Sequence, residues 1–429
     1  MKAAGLITEY NPLHNGHMHH LDMARKESGI DCTIAVMSGN FVQRGEPAII
    51  DKHSRCTAAI NAGVNLCVEL PTYYAVSSAE GFADGAVRTL DALKADAVVF
   101  GSECSDIEVL TKAATILATE PEMYRELLKD NLATGLSYPA ARQSALIEHC
   151  LSQGIKLPDN LLSSPNNILG IEYIKSIIRN KCNITPVAIS RSGTGYNDID
   201  IDGLPSASAV RHIIAEKASK VPQGTESMDL SELKGLLPLS MYELFLKSTH
   251  PVQKETPILV DDMTPLFNYK MSELFNDCSR DKKLLSAKLS SYTDITTELA
   301  NRMAEQFSGL DLISEYCQRV KSRQYTYSRI SRCILHVILD ITKIKAAKYD
   351  QPNVPYIRVL GFDEKGQKYL SSIKKSCPVP IITKTANHRE LLADDIHCSA
   401  IYNQLVFNKY GTVLKDEFRS GVYIKPKSV

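Results

Sequence analysis

The chain lacks the marks of most specialised protein classes. It has no CxxC pair, and its eleven cysteines are odd in number and widely spaced, from Cys32 to Cys398. That pattern argues against a disulfide framework or a zinc knuckle and for reduced thiols. No stretch approaches the ~18 apolar residues of a membrane span. The short apolar run at the N-terminus meets Glu9 too soon for a signal peptide. A soluble protein of the cytoplasm is expected. Internal repeats and low-complexity tracts are absent. Net charge is absent too: 49 Lys and Arg balance 49 Asp and Glu, so nothing in the whole-chain sum draws it to nucleic acid or membrane.

What is present is ordinary globular material. Of 429 residues, 44% are hydrophobic and 23% charged, which excludes disordered and collagen-like classes. At roughly 100–200 residues per domain, two or three domains are expected. The zero charge hides an asymmetry. Residues 316–429 hold 20 Lys and Arg against 9 Asp and Glu, whereas residues 1–315 hold 29 against 40. A basic C-terminal third behind an acidic body suits a polyanionic partner.

Over residues 1–220, apolar strand-like runs alternate with helix-like segments. Strands are expected near 3–8, 32–37, 65–70, 96–100 and 186–189. Helices are expected near 16–29, 53–62, 78–93, 167–178 and 207–215. This alternation predicts an α/β fold, a doubly wound parallel sheet with right-handed crossovers and ligands at the C-terminal strand ends. Residues 221–315 read as a helical region, entered through a linker at Val221-Pro-Gln-Gly-Thr-Glu-Ser. Residues 316–429 form a basic region of mixed structure.

The strongest motif follows the first strand: Thr8-Glu-Tyr-Asn-Pro-Leu-His-Asn-Gly-His-Met-His-His. His14 and His17 share one side of a helix start, and Gly16 removes a side chain where a phosphate would approach the backbone. Unpaired amides and the positive dipole end favour a polyphosphate there. Imidazoles at that point can donate to a phosphoryl group as charge builds on a leaving pyrophosphate. The bland alternatives are four surface histidines, His14, His17, His19 and His20, or a metal site. No acidic or cysteine ligand shares a metal-type spacing with them.

Other loops follow the later strands. Met37-Ser-Gly-Asn-Phe-Val-Gln-Arg-Gly-Glu-Pro offers Ser38, Asn40, Gln43 and Arg44 to line an acid-substrate pocket, or is a plain turn. Lys52 and Arg55 fit phosphate neutralisation and a solvated helix start equally well. Phe100-Gly-Ser-Glu ends a strand where Gly101 would let a nucleoside lie against the backbone. In Pro165-Asn-Asn, one Asn caps a helix and the other is left to read a base or ribose. Ser206-Ala-Ser-Ala-Val-Arg opens another helix with small hydroxyl residues, Ser206 and Ser208, and places Arg211 one turn inside. Ser206 alone is equally a simple N-cap. Finally, Lys321, Arg323, Tyr325, Tyr327, Arg329 and Arg332 place four cations and two tyrosines in twelve residues. Cations would hold RNA phosphates and tyrosines would stack on splayed bases. A solvated helix face with buried tyrosines is the alternative.

The Asn-Pro-Leu-His-Asn-Gly-His string between strand and helix resembles the HxGH signature of the nucleotidylyltransferase superfamily, and Ser206 to Arg211 its second element. Asn11 departs from the Asp usual in small adenylyltransferases. Together with Val36-Met-Ser-Gly-Asn-Phe-Val-Gln-Arg-Gly-Glu-Pro-Ala, Pro165-Asn-Asn-Ile-Leu-Gly and Pro355-Tyr-Ile-Arg-Val-Leu-Gly, it resembles the bacterial tRNA(Met) cytidine acetate ligase family over nearly the whole chain. The resemblance implies that acetate is activated by ATP as acetyl-adenylate. The acetyl group then goes to N4 of the wobble cytidine, position 34, of elongator tRNA(Met). It implies His14 and His17 as catalytic residues. ATP would be bound by Ile7, Thr8, Glu9, Tyr10, Asn11, Pro12, Leu13, His14, Asn15, Gly16, His17, Met18, His19 and His20. Gly101, Asn166, Arg191, Ser206, Ser208 and Arg211 would complete that site. Mg²⁺ is expected with ATP, its hard ligands supplied by phosphate and water, since no carboxylate cluster marks a site. No membrane and no protein partner are implied. The alternatives are an adenylyltransferase of a small metabolite, which would have no use for the basic third, and a non-catalytic RNA-binding protein with a relict nucleotide site.

Overall fold

The computed structural model describes residues 1–26, 29–158, 161–190, 206–220, 228–251 and 254–427. Among the described residues, ten strands occur in chain order: β1 Ala3–Thr8, β2 Cys32–Ser38, β3 Phe41–Val42, β4 Glu46–Pro47, β5 Leu66–Leu70, β6 Ala97–Ser102, β7 Thr185–Ser190, β8 Ile357–Phe362, β9 Ile381–Ile382 and β10 Tyr423–Ile424. The main sheet runs β10-β8-β5-β2-β1-β6-β7, with β9 beside β8. Strands β5, β2, β1, β6 and β7 are mutually parallel. The chain winds outward from β1 through β2 to β5, then returns to the other side of β1 for β6 and β7. This is the doubly wound α/β fold expected, and its order reverses at β1, where such sheets open a crevice for a ligand.

Strand β2 is buried at every position, and β1 at all but Ile7, as parallel strands covered on both faces must be. One face packs helices Ala79–Ala92, Ile107–Thr119 and Pro165–Asn180, with Leu90, Phe100 and Ile174 in the core. Gly5 and Gly170 make this packing close, because a Cβ at either would collide with Leu90 or Phe100. The other face packs helices Asn15–Lys26, Lys52–Asn61, Ala207–Lys220 and Leu239–Ser248 around Leu6, Leu21, Ile60, Val210 and Phe245.

The basic region reaches into this sheet. Strand β8 pairs antiparallel with β5, Leu66 opposite Phe362, and carries β9 and β10 at the edge. The helical region continues past residue 315. Helices Ile313–Val320 and Tyr327–Ile338 share a core with helix Thr264–Asp277, where Phe267 lies 5.0 Å from Tyr316 between ring centres. All eleven cysteines are free thiols. Among the described residues, no helix is long and apolar enough to cross a membrane.

Candidate active site

The loop leaving β1 makes a forced turn: Tyr10 has φ 47°, a left-handed conformation costly for a non-glycine residue. Burial of its side chain holds that turn and pushes the phenol well above its ordinary pKa. The Tyr10 ring meets His17 edge-on at 5.1 Å, and His17 lies 3.8 Å from His14 between ring centres. The amide of His14 donates to His17 Nδ1 at 3.2 Å, and the amide of Gly16 donates to His14 Nδ1 at 3.1 Å. An Nδ1 that accepts a hydrogen bond places the proton of a neutral imidazole on Nε2. Both rings are therefore set as Nε2–H donors at a helix N-terminus, the form needed to bond a phosphoryl oxygen.

The two signature elements meet. Arg211 Nη1 donates to the carbonyl oxygen of Asn11 at 2.8 Å, and Nη2 to Ser208 Oγ at 3.3 Å. Asn11 itself accepts the amide of Ile49 at 2.8 Å, a bond to the side-chain oxygen. Ser206 Oγ accepts from the amide of Ala209 at 3.1 Å, so it caps its helix as the simpler reading allowed. The short β3–β4 hairpin closes the site from one side. The amide of Gln43 donates to Glu9 Oε1 at 2.8 Å. Burial, and then the charge of Arg211, lower the pKa of Arg44, while Glu9 and Glu46 oppose the shift. Burial raises the pKa of Glu46 against the pull of Arg211 and Arg44. Two guanidiniums, Arg44 and Arg211, thus share a half-buried cluster with the carboxylates of Glu9 and Glu46.

Residues 1–417 match the HIGH Nucleotidyl Transferase family. A tRNA(Met) cytidine acetate ligase of Caldanaerobacter subterraneus subsp. tengcongensis is 40% identical over 398 residues, covering 92% of this chain and 91% of that one. The Acetivibrio thermocellus protein of the same name is 36% identical over 442 residues, covering 99% and 100%. The crystal structure of Thermotoga maritima TmcAL in its apo form matches with TM-score 0.86 and 31% identity over 99% of both chains. The same protein bound with alpha-thio ATP matches with TM-score 0.84. The chain belongs to the tRNA(Met) cytidine acetate ligase family.

Within this acetate ligase fold, the run from Ile7 to His20 divides in two. Ile7, Leu13 and Met18 pack against the core clusters, and Pro12 is buried. His20 Nε2 lies 3.0 Å from the carbonyl oxygen of Val99 on β6, and His19 is exposed. Thr8, Glu9, Tyr10, Asn11, His14, Gly16 and His17 surround the strand end. Asn15 anchors the helix start to the 230s segment, its amide 2.9 Å from Leu236 O and its side chain 2.9 Å from Gly235 O. Gly101 is half-exposed near the end of β6. Arg191 lies outside the described residues.

The two asparagines do not divide the work as expected, because neither caps the helix Pro165–Asn180. Asn167 is buried, and its Oδ1 accepts from Ser102 Oγ at 2.7 Å and the amide of Cys104 at 2.8 Å. Glu103 serves the helix start instead, accepting the amide of Asn167 at 3.0 Å and Asn166 Nδ2 at 2.6 Å. Glu103 went unassigned in the sequence because its partners lie more than sixty positions away.

Lys52 and Arg55 follow neither reading offered for them, since both are fully buried. Arg55 braces the loops by donating to the carbonyls of Ile50 (3.0 Å), Ser38 (3.1 Å), Gly39 and Glu9. Lys52 Nζ bonds Glu69 at 2.6 Å and Glu417 at 2.7 Å, and Arg358 reaches Glu417 at 2.5 Å. Burial opposes the charge of Lys52, but Glu417 and Glu69 outweigh it and raise its pKa. Burial likewise opposes the charge of Glu417, but Lys52 and its other cationic neighbours hold it below the usual carboxylate range.

The basic cluster splits as well. Lys321 and Arg323 are exposed. Arg329 and Arg332 instead converge on Asp294, at 3.4 and 2.8 Å, and the Arg329 guanidinium sits 5.4 Å above the Tyr325 ring. Tyr325 and Tyr327 are half-buried. No group of three His, Cys, Asp or Glu side chains able to hold a metal occurs among the described residues. The side chains described therefore do not form a cage for Mg²⁺.

Proposed function

We propose that the chain is an ATP-dependent ligase that activates acetate as acetyl-adenylate and acetylates N4 of the wobble cytidine of elongator tRNA(Met). The observation that carries this reading is the Arg211–Asn11 bond, which brings both phosphate-binding elements to the end of β1 beside a tautomer-fixed histidine pair. An acetate oxygen attacks the α-phosphorus of ATP, and the bond to the bridging oxygen of pyrophosphate breaks. Donors on His14 and His17, the helix amides after Ser206, and the Arg211 and Arg44 guanidiniums meet the growing negative charge. The mixed anhydride then accepts attack by the cytosine N4 at the acetyl carbon. AMP leaves and N4 loses a proton. Because that exocyclic amine is a poor nucleophile, a preactivated acyl donor is required.

On this reading the phosphates lie at His14, His17, Ser206, Ser208 and Arg211, the nucleoside lies toward Gly101 and Asn166, and the tRNA meets the basic region through Lys321, Arg323 and their neighbours. The decisive experiment incubates the protein with ATP, labelled acetate and total tRNA, followed by nucleoside mass analysis. Acetylated cytidine that depends on all three components is expected. An adenylylated small metabolite with unlabelled tRNA would overturn the reading.

A further inference from the structure

A groove of about 460 Å³ runs along the C-terminal helix Ala393–Tyr410 and the turn that follows it, with Ser399, Phe407, Val413, Glu417, Phe418 and Arg419 in its walls. It exposes two aromatic rings. Phe407 is 49% and Phe418 43% exposed, and the Arg389 guanidinium lies 4.7 Å above the Phe418 ring.

Charges of both signs surround it. Two acids turn inward: Glu417 is held by Lys52 and Arg358, and buried Asp395 by the amide of Thr72 and the Tyr356 hydroxyl. Asp416 is spent on the amides of Phe418 and Arg419 and on the Arg419 side chain, 3.7 Å away. Three cations turn outward. Arg389 and Lys415 are exposed, and the Arg419 side chain is 81% exposed. Two exposed acids oppose them, Glu390 and the Asp416 that pairs with Arg419.

We propose that this groove binds single-stranded RNA of the acceptor tRNA, with an unstacked base on Phe418 and Phe407 and neighbouring phosphates on Arg389, Lys415 and Arg419. Aromatic faces flanked by arginine and lysine are the chemistry by which proteins hold unpaired nucleotides. The walls of the groove also touch the loop beside the proposed ATP site. Ser399 lies 3.5 Å from Asn40 Nδ2, and Glu417 holds Lys52, whose amide donates to Asn40 Oδ1 at 2.8 Å. RNA seated here would lie on a wall whose buried side packs against the Ser38–Ala48 segment that carries Arg44 and Glu46. The proposal rests on the tRNA substrate proposed for the ligase and adds a surface separate from the Lys321–Arg332 stretch.

The test uses the full chain and a labelled elongator tRNA(Met) transcript, with affinity read by fluorescence anisotropy over a salt series. Phe418→Ala should weaken binding roughly 5- to 150-fold, the range for removing one base–aromatic stack, and Phe418→Trp should restore most of it. The Arg389→Ala/Arg419→Ala pair should lower the slope of log affinity against log salt by roughly 0.7 for each phosphate no longer neutralised. These side chains are exposed, so the pair keeps the test open if Phe418→Ala fails to fold. Unchanged affinity and slope in all variants would overturn the proposal. So would unchanged tRNA affinity with a changed mass by light scattering, which would give the groove to a protein partner. If the wild-type chain binds no tRNA, the proposed function itself fails; if wild type and variants bind alike, only the groove does.

Discussion

Ser331 Oγ donates to the carbonyl oxygen of Gly45 across 2.8 Å, joining the helix of the basic stretch to the β3–β4 hairpin beside the proposed ATP site. The approach is as tight as the chain allows. Gly45 has φ +79°, and a Cβ there would collide with the backbone of Ser331 and Arg332. Gly45→Ala should therefore both strain the turn and push the helix off, lowering stability by roughly 1–3 kcal/mol. Because Arg44 and Glu46 flank that glycine, acetate-dependent pyrophosphate exchange should fall as well. Ser331→Ala leaves the geometry and removes one buried bond, at a cost of about 1 kcal/mol. Thermal unfolding and exchange assays on both variants check this; a Gly45→Ala protein as stable and active as wild type would contradict the tight docking.

His17→Ala should slow acetate-dependent pyrophosphate exchange by roughly 10²- to 10³-fold, the scale for removing one preorganised donor to developing charge. The fold should survive, because His17 is only half-buried. His14→Ala should cost as much activity and more stability, since His14 is buried and accepts the amide of Gly16. A His17→Ala variant with near wild-type exchange would remove that residue from the chemistry.

A pH dependence follows from His336. Its ring nitrogens lie 2.8 Å from the carbonyl oxygens of Thr293 and Val76; the neutral ring, with a single N–H, donates to one of them, and only the protonated ring would donate to both. Burial lowers its pKa from the ordinary 6.5, outweighing the two carbonyls that favour the proton. The folded ring is thus neutral where the unfolded chain begins to take up a proton. Its contribution is complete above about pH 6.5 and declines as pH falls from there to the folded pKa, by at most about 1.4 kcal/mol per pH unit. Comparing melting temperatures at about pH 8 and about pH 5.5, His336→Gln should flatten part of the wild-type loss. An equal loss in both proteins would place the acid sensitivity elsewhere.

The strands and the loops that follow them were legible in the sequence because each depends on neighbours close along the chain. Apolar runs such as Cys32 to Met37 can only be buried strands or helix cores, and their length and flanking turns decide between them. His14, Gly16 and His17 declare themselves by spacing. Lys52 did not, because its burial depends on Glu69, Arg358 and Glu417, brought together by an antiparallel β5–β8 pairing that no local pattern announces. The basic third was legible as a charge balance, but the balance does not say which cations face water. Arg358 is 3% exposed and Arg332 is paired, although both counted toward the same excess.

That distinction sets the last prediction. Lys321→Ala/Arg323→Ala removes two exposed cations, so stability should hold while tRNA affinity and its salt slope fall, the slope by roughly 0.7–0.9 per phosphate no longer neutralised. Arg329→Ala/Arg332→Ala should behave differently. It strips Asp294 of both guanidinium partners and removes the hydrogen bond from Arg329 Nη2 to the Asp294 carbonyl at 3.2 Å. The Arg332 side chain is only 11% exposed, so its pair with Asp294 is screened less than a surface bridge. A lowered melting temperature should accompany any loss of tRNA binding, and because the same helix supports Gly45, exchange without tRNA should weaken too. Adding Asp294→Asn to this pair should recover part of the lost stability, since it removes the stranded charge while keeping the side chain's shape. If the Arg329/Arg332 variant is as stable as wild type and differs only in its salt slope, those arginines exchange Asp294 for RNA phosphate, and the whole stretch is one binding surface. If the Lys321/Arg323 variant binds tRNA with unchanged affinity and slope, those two cations belong to a solvated face.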